Sequence, residues 1–250
     1  MAIALVSAGT PITTLSPAFG QPTGAGSLLI GCVAANVASA GNPFSVTGTG
    51  WALAIAYGVS YSWAAVYYKP GSAAGETAPT FSQSGGGGPL ASVLAEFSGA
   101  ATSSPLDSSG TSATGTAANA ASDTGGGDLI VAFATDTYYD GAAFTAPAMY
   151  DSSGASVTSA LLASGYPGGG WNYGFAYGVA GPGGTSKDTV TWNYSTTYSA
   201  IVSFMAPQGT NTSPAYATAY DTGSGGSGSW TSPGNADGAP DGACATWVAP

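Results

Sequence analysis

Side chains that ionise, attack or coordinate are scarce in this chain. None of its 250 residues is histidine, so no Ser-His-Asp or Cys-His site can form within one copy. Paired carboxylates could serve a glycosidase. The two glutamates, Glu76 and Glu96, both fall in the first hundred residues. Glu96 sits in Leu94-Ala95-Glu96-Phe97 and reads as an exposed strand carboxylate. With no histidine and no close cysteine pair, zinc has no ligand set. Asp136, Asp140 and Asp151, and further on Asp237 and Asp241, lack an EF-hand spacing and read as Asx-turns. No glycine-rich stretch has the Gly-x4-Gly-Lys-Ser/Thr form of a phosphate loop. The expectation is no catalytic residue, no metal and no cofactor.

Aromatic side chains are the remaining candidates. Tyr138, Tyr139, Tyr166, Trp171, Tyr173, Tyr177 and Tyr198 cluster in one stretch, and Trp230 and Trp247 stand near the end. Such rings can fill a core, anchor a protein partner or stack on a sugar. Alternate members of a strand must face the core, so core packing takes most of them. Tyr138, Tyr139, Tyr166, Trp171, Tyr173, Trp230 and Trp247 are the set carried forward as partner or glycan contacts.

The elements that would position them are written twice. Gly26-Ser27-Leu28-Leu29-Ile30 recurs as Gly127-Asp128-Leu129-Ile130-Val131, and Phe44-Ser45-Val46 as Phe144-Thr145-Ala146. Trp63-Ala64-Ala65-Val66-Tyr67 aligns with Trp171-Asn172-Tyr173-Gly174-Phe175, and Ala91 to Phe97 with Tyr198 to Phe204. Four matches in one order indicate a tandem of two similar units. Apolar runs are short, β-branched or aromatic, and bounded by Gly, Pro, Ser and Asn, without helical periodicity.

This predicts an all-β chain of two tandem antiparallel β-sandwich units, Ig-like or jelly-roll-like, spanning 1–104 and 105–207. Residues 208–250 form a Gly/Ser-rich C-terminal extension, a docking segment or an incomplete further module. Strands are expected near 2–7, 27–36, 44–57, 61–69, 77–83 and 90–98. In the second unit they are expected near 113–119, 127–136, 144–150, 156–164, 171–180, 188–194 and 198–206, with 99–112 as the connection. Strand 61–69 carries aromatics on both faces, so some should be exposed or sit at an interface. Cys32 alternates with Leu28 and Ile30 and reads as a buried thiol, with a disulfide to Cys244 left open.

Charged residues make up 6% of the chain, so its polar surface must come from Ser, Thr, Asn and backbone. Two lysines, Lys69 and Lys187, against twelve acidic residues give a net charge of −10. That argues against nucleic-acid binding and against a polybasic membrane contact. No apolar run approaches a membrane span, and Met1 to Ser7 lacks the basic region of a signal peptide. The expectation is synthesis in a cytoplasm without membrane insertion.

Gly48-Thr49-Gly50-Trp51, Ala65-Val66-Tyr67-Tyr68-Lys69, Ala95-Glu96-Phe97-Ser98-Gly99 and Ser104-Pro105-Leu106-Asp107 together resemble a loosely defined group of β-rich structural proteins of tailed bacteriophages and prophages. Trp230-Thr231-Ser232-Pro233-Gly234-Asn235-Ala236 with Asp241-Gly242 is similar to the start of a second module type in that group. The resemblance implies a non-enzymatic virion structural protein on the particle exterior, of capsid decoration, minor tail or fibre type. Its partners would be copies of itself and other virion proteins. The alternatives are a host-surface glycan-binding module and a bacterial extracellular filament or adhesin subunit.

Overall fold

A computed structural model describes residues 2–85, 88–118, 128–136, 143–167, 170–181, 187–194 and 198–207. Among them every regular element is a β-strand and no helix forms. The first half holds β1 (Ala4–Ala8), β2 (Leu28–Ala35), β3 (Phe44–Val46), β4 (Ala52–Val59), β5 (Ser62–Lys69), β6 (Phe81–Gln83) and β7 (Leu90–Ser98). The second holds β8 (Leu106–Ser112), β9 (Thr116–Ala118), β10 (Leu129–Asp136), β11 (Ala148–Tyr150), β12 (Ser156–Val157), β13 (Ser159–Gly165), β14 (Asn172–Val179), β15 (Thr189–Thr191) and β16 (Tyr198–Phe204).

The strands form antiparallel sheets in two sandwich-like units. In the first, β1-β7-β2-β5-β4 packs against β3-β6; in the second, β13-β14-β10-β16-β8 packs against β12-β11-β15-β9. With β12 and β13 taken as two parts of one strand, the second half's eight strands fall in the orders 1-8-3-6 and 2-7-4-5, the jelly-roll arrangement. The first half has the same order without the second strand. There the Phe81 amide donates to the Leu15 carbonyl, so an irregular segment lies beside β6 instead.

Register makes the repeat explicit. Leu28 pairs with Phe97, and Leu129 with Phe204; Cys32 pairs with Val66, and Phe133 with Phe175. By this register Trp63 corresponds to Asn172, not to Trp171 as the sequence alignment has it. A slip of one residue turns a side chain to the other face of the sheet. Trp63 accordingly belongs to an outer core and Trp171 to the inner one.

Two further differences from the sequence reading have local causes. The stretch 44–57 is two strands, because Gly48 and Gly50 take φ of 106° and 84° and turn the chain between them. The expected connection 99–112 contains β8. Its sequence Leu-Asp-Ser-Ser-Gly-Thr-Ser has no apolar alternation, and backbone pairing to β16 at a sheet edge holds it.

Residues 1–207 form one compact unit. The two five-stranded sheets share a single core, in which Ile30, Cys32 and Phe97 pack with Val131, Phe133 and Phe204. Each sheet's other face is covered by its own small sheet. Phe81 and Trp51 rest over Gly31, where an added Cβ would come within 2.9 Å of Phe81. Phe144 and Trp192 rest over Gly174, with the corresponding clearances 2.8 and 2.9 Å. The central strands β2 and β10 are buried on both faces for this reason, which is why they read as continuous apolar runs.

Two of the ring contacts between the sheets form a matched pair: Tyr68 with Phe204, centroids 5.4 Å apart, and Tyr177 with Phe97 at 5.3 Å. Tyr68 and Tyr177 occupy equivalent positions, as do Phe97 and Phe204, so each contact is the image of the other. The halves are therefore related by a pseudo-twofold axis running along the strands.

Candidate functional site

Trp171, just before β14, and the odd positions Tyr173, Phe175 and Tyr177 along it face the shared core, and the even positions face the outer layer. Trp171 is 0% exposed and Tyr173 7%. Their rings lie 5.8 Å apart inside the core. They do not form the surface aromatic platform expected around Trp171, because strand alternation turns both inward. Burial pushes the Tyr173 hydroxyl pKa up. Tyr166, just past β13, is 46% exposed, and its hydroxyl accepts a bond from the Gly170 amide at 3.3 Å. Tyr138, Tyr139, Trp230 and Trp247 lie outside the described residues.

The shared axis gathers other tyrosines at Tyr166's end. Tyr57 on β4 meets Tyr198 on β16, centroids 6.2 Å apart and nearly perpendicular. That contact places the β4–β5 and β13–β14 hairpin tips at one end of the unit. Tyr61, at the first of these tips, is 60% exposed and follows Ser60, whose φ is +56°. Tyr61 is not among the aromatic contacts that the sequence singles out, although the aromatic pattern on both faces of 61–69 points to it.

The outer edges of the large sheets form a second surface. All four edge strands are bulged where they pair with their neighbours: at Leu5/Ser7, Leu53/Ile55, Leu161/Ala163 and Ser203/Phe204. Bulges blunt an edge against uncontrolled pairing. Charge, the other usual guard, is absent from β1, β4 and β13, and among the four only β8 has any, at Asp107. Leu5, Val6, Leu53, Val59 and Leu161 all stand exposed on these strands. Leu53 and Leu161 are equivalent, since they pair with the equivalent residues Tyr67 and Ala176.

At the opposite end a polar network closes the base of the first half. Glu96 is fully buried, not the exposed strand carboxylate that the sequence suggests. Its position on β7 faces the outer layer, and the loop 23–27 covers it. Its Oε1 accepts from the Gly24 amide and from Ser27 Oγ, each at 2.7 Å. Ser72 Oγ accepts from the Ser27 amide at 3.1 Å and donates to the Gly24 carbonyl at 2.6 Å. The Glu76 amide donates to Thr23 Oγ1 at 2.7 Å, and the Glu76 carboxylate meets Lys69 Nζ at 2.8 Å. The Lys69 ammonium, aided by the Ala73 amide, holds the Glu76 carboxyl below the usual range against the opposing effect of partial burial. In the second half the carboxylate and hydroxyl trade places: Asp128 stands for Ser27 and Ser203 for Glu96.

Asp151 caps its own turn, as the Asx reading expects. Its Oδ1 accepts from the Ser153 and Ala155 amides, both at 2.9 Å, and from Ser153 Oγ at 2.6 Å. Burial alone would raise this carboxyl, but the hydrogen bonds from Ser153, Ala155 and the Gly181 amide outweigh it, and the pKa is lowered. Among the described residues no three His, Cys, Asp or Glu side chains come together as a metal site. Cys32 is a free, fully buried thiol whose pKa burial pushes far upward.

No family model, no curated protein and no solved structure matches the chain.

Proposed function

We propose that the chain is a non-enzymatic structural protein of the exterior of a tailed-phage virion, a capsid decoration or tail/fibre component that works by multivalent protein–protein association. The observation that carries this reading is the set of uncharged, bulged edge strands β1, β4 and β13 with their exposed leucines and valines. Apolar groups flanked by Ser, Thr and backbone can be covered by a neighbour with little charge to desolvate. The sequence resemblance supports the same reading. Its partners are copies of itself and other virion proteins.

The test is native mass against concentration by light scattering, alone and with purified particles. Wild-type chain is expected to self-associate or to sediment with particles, and Leu53→Lys with Leu161→Lys to weaken this at least tenfold. A protein that neither associates nor binds particles sinks the proposal. A second reading, a host-glycan contact, is favoured by the exposed Tyr61 and Tyr166 at one end. Retention on a glycan array that Tyr61→Ala and Tyr166→Ala abolish would select it.

A further inference from the structure

The shared core has kept its twofold geometry but not its twofold composition. Four rows of side chains cross the inner faces, and the first, Leu28 with Phe97, has the same residues in its counterpart, Leu129 with Phe204. In the row of Ile30 and Tyr68 the counterparts are Val131 and Tyr177, nearly the same sizes, and here the two mirrored ring contacts survive. In the next row Cys32 and Val66 correspond to Phe133 and Phe175. In the row nearest the hairpin tips Ala91, Ala34 and Ala64 correspond to Tyr198, Thr135 and Tyr173. Just beyond, Ser62 corresponds to Trp171. On the central strands β2 and β5 the first half's face is thus shallow over two rows where β10 and β14 are thick, while on the outer strands β4 and β13 the order is reversed, Ile55 and Tyr57 standing for Ala163 and Gly165.

We infer that the inner face of the first half is a docking surface selective for the second half of this chain, and that another copy's second half fits it equally. Interiors pack to a fixed density, so size must be complementary across a joint. Two first halves face to face would set Cys32, Val66, Ala34 and Ala64, at the centre of the face, against the same small residues and leave cavities there. Two second halves would set Phe133, Phe175 and Tyr173 against themselves and overfill the joint. Underfilling and overfilling are both destabilising. An isologous contact between identical faces has become a heterologous one between unlike faces. The exchange of small for large residues discriminates against both like pairs.

The experiment uses the full chain with a protease recognition sequence replacing the exposed residues Thr102 to Ser104 of the connection. After cleavage the two pieces are expected to stay together at the uncut mass until denaturant is added. Cut protein grown with and without ¹⁵N is then mixed, unfolded, refolded and weighed by native mass spectrometry. The expected species are first–second pairs, labelled and unlabelled halves combined at random, with like pairs below about a tenth of the total. Ala64→Tyr, which gives the shallow face its counterpart's residue, is expected to weaken the cut pair at least tenfold. Pieces that part without denaturant, or like pairs as abundant as unlike ones, would overturn the inference. The unmutated mixture decides it even where Ala64→Tyr fails to fold.

Discussion

The mirrored ring contacts allow the shared core to be measured from both sides. Phe97 is fully buried and meets Tyr177 at 5.3 Å with planes 66° apart. Such an edge-on pair contributes about 0.5–1.5 kcal/mol beyond the area it buries. Phe97→Leu and Tyr177→Leu should each cost about 1–2 kcal/mol by imperfect refilling. The double variant should cost less than their sum by the pair energy. Tyr68 and Phe204, at 5.4 Å and 57°, should return the same coupling to within about 0.5 kcal/mol, because they are the same contact seen from the other half. Phe97→Leu combined with Trp192→Leu, which belongs to the second half's outer core, should be additive. The assay is urea unfolding followed by tryptophan fluorescence and circular dichroism, with coincident transitions as the two-state check. Coupling near zero in both cycles, or in one alone, would refute the twofold contact between the sheets.

Three other perturbations follow from single sites. Glu96→Ala removes a buried acceptor and strands the Gly24 amide and Ser27 hydroxyl, so it should cost about 2–4 kcal/mol in urea unfolding; a change below about 0.5 kcal/mol would mean the network does not hold the 23–27 loop. In a Cys244→Ser background, Cys32 should ignore a thiol reagent in native buffer and react only as the protein unfolds, since its thiol is sealed and free; prompt native labelling would contradict its burial. Glu76 and Asp151 have carboxyl pKa values lowered by folding, so their contribution is full above the unfolded values near pH 4 and is lost as pH falls through the lower folded ones. Melting temperature should therefore drop on acidification below about pH 4, and Glu76→Gln should flatten part of that slope; an unchanged slope would remove the Lys69 pair from the account.

Much of this architecture is readable from residue order. β2 and β10 announce themselves as apolar on both faces, and their common opening Gly-x-Leu betrays the repeat. Period-2 alternation along β14 already implied that Trp171 and Tyr173 face the same side. Which side they face depends on register, and aligning two tryptophans placed Trp171 one residue off. β8 was invisible because an edge strand of Asp, Ser, Gly and Thr is held by backbone bonds that leave no hydrophobic pattern. Glu96 was misread because its cover comes from residues 72 positions away, and composition does not record such contacts. For the same reason the doubly apolar strands showed that both sheet faces are covered without showing that one cover is the other half.

The most direct test of the proposed role is protein mass spectrometry and immunogold labelling of purified particles released by the host that carries this gene. The account predicts the chain in stoichiometric copies, with gold on the outer surface of capsid or tail. Particles free of the chain, or a label confined to their interior, would contradict it.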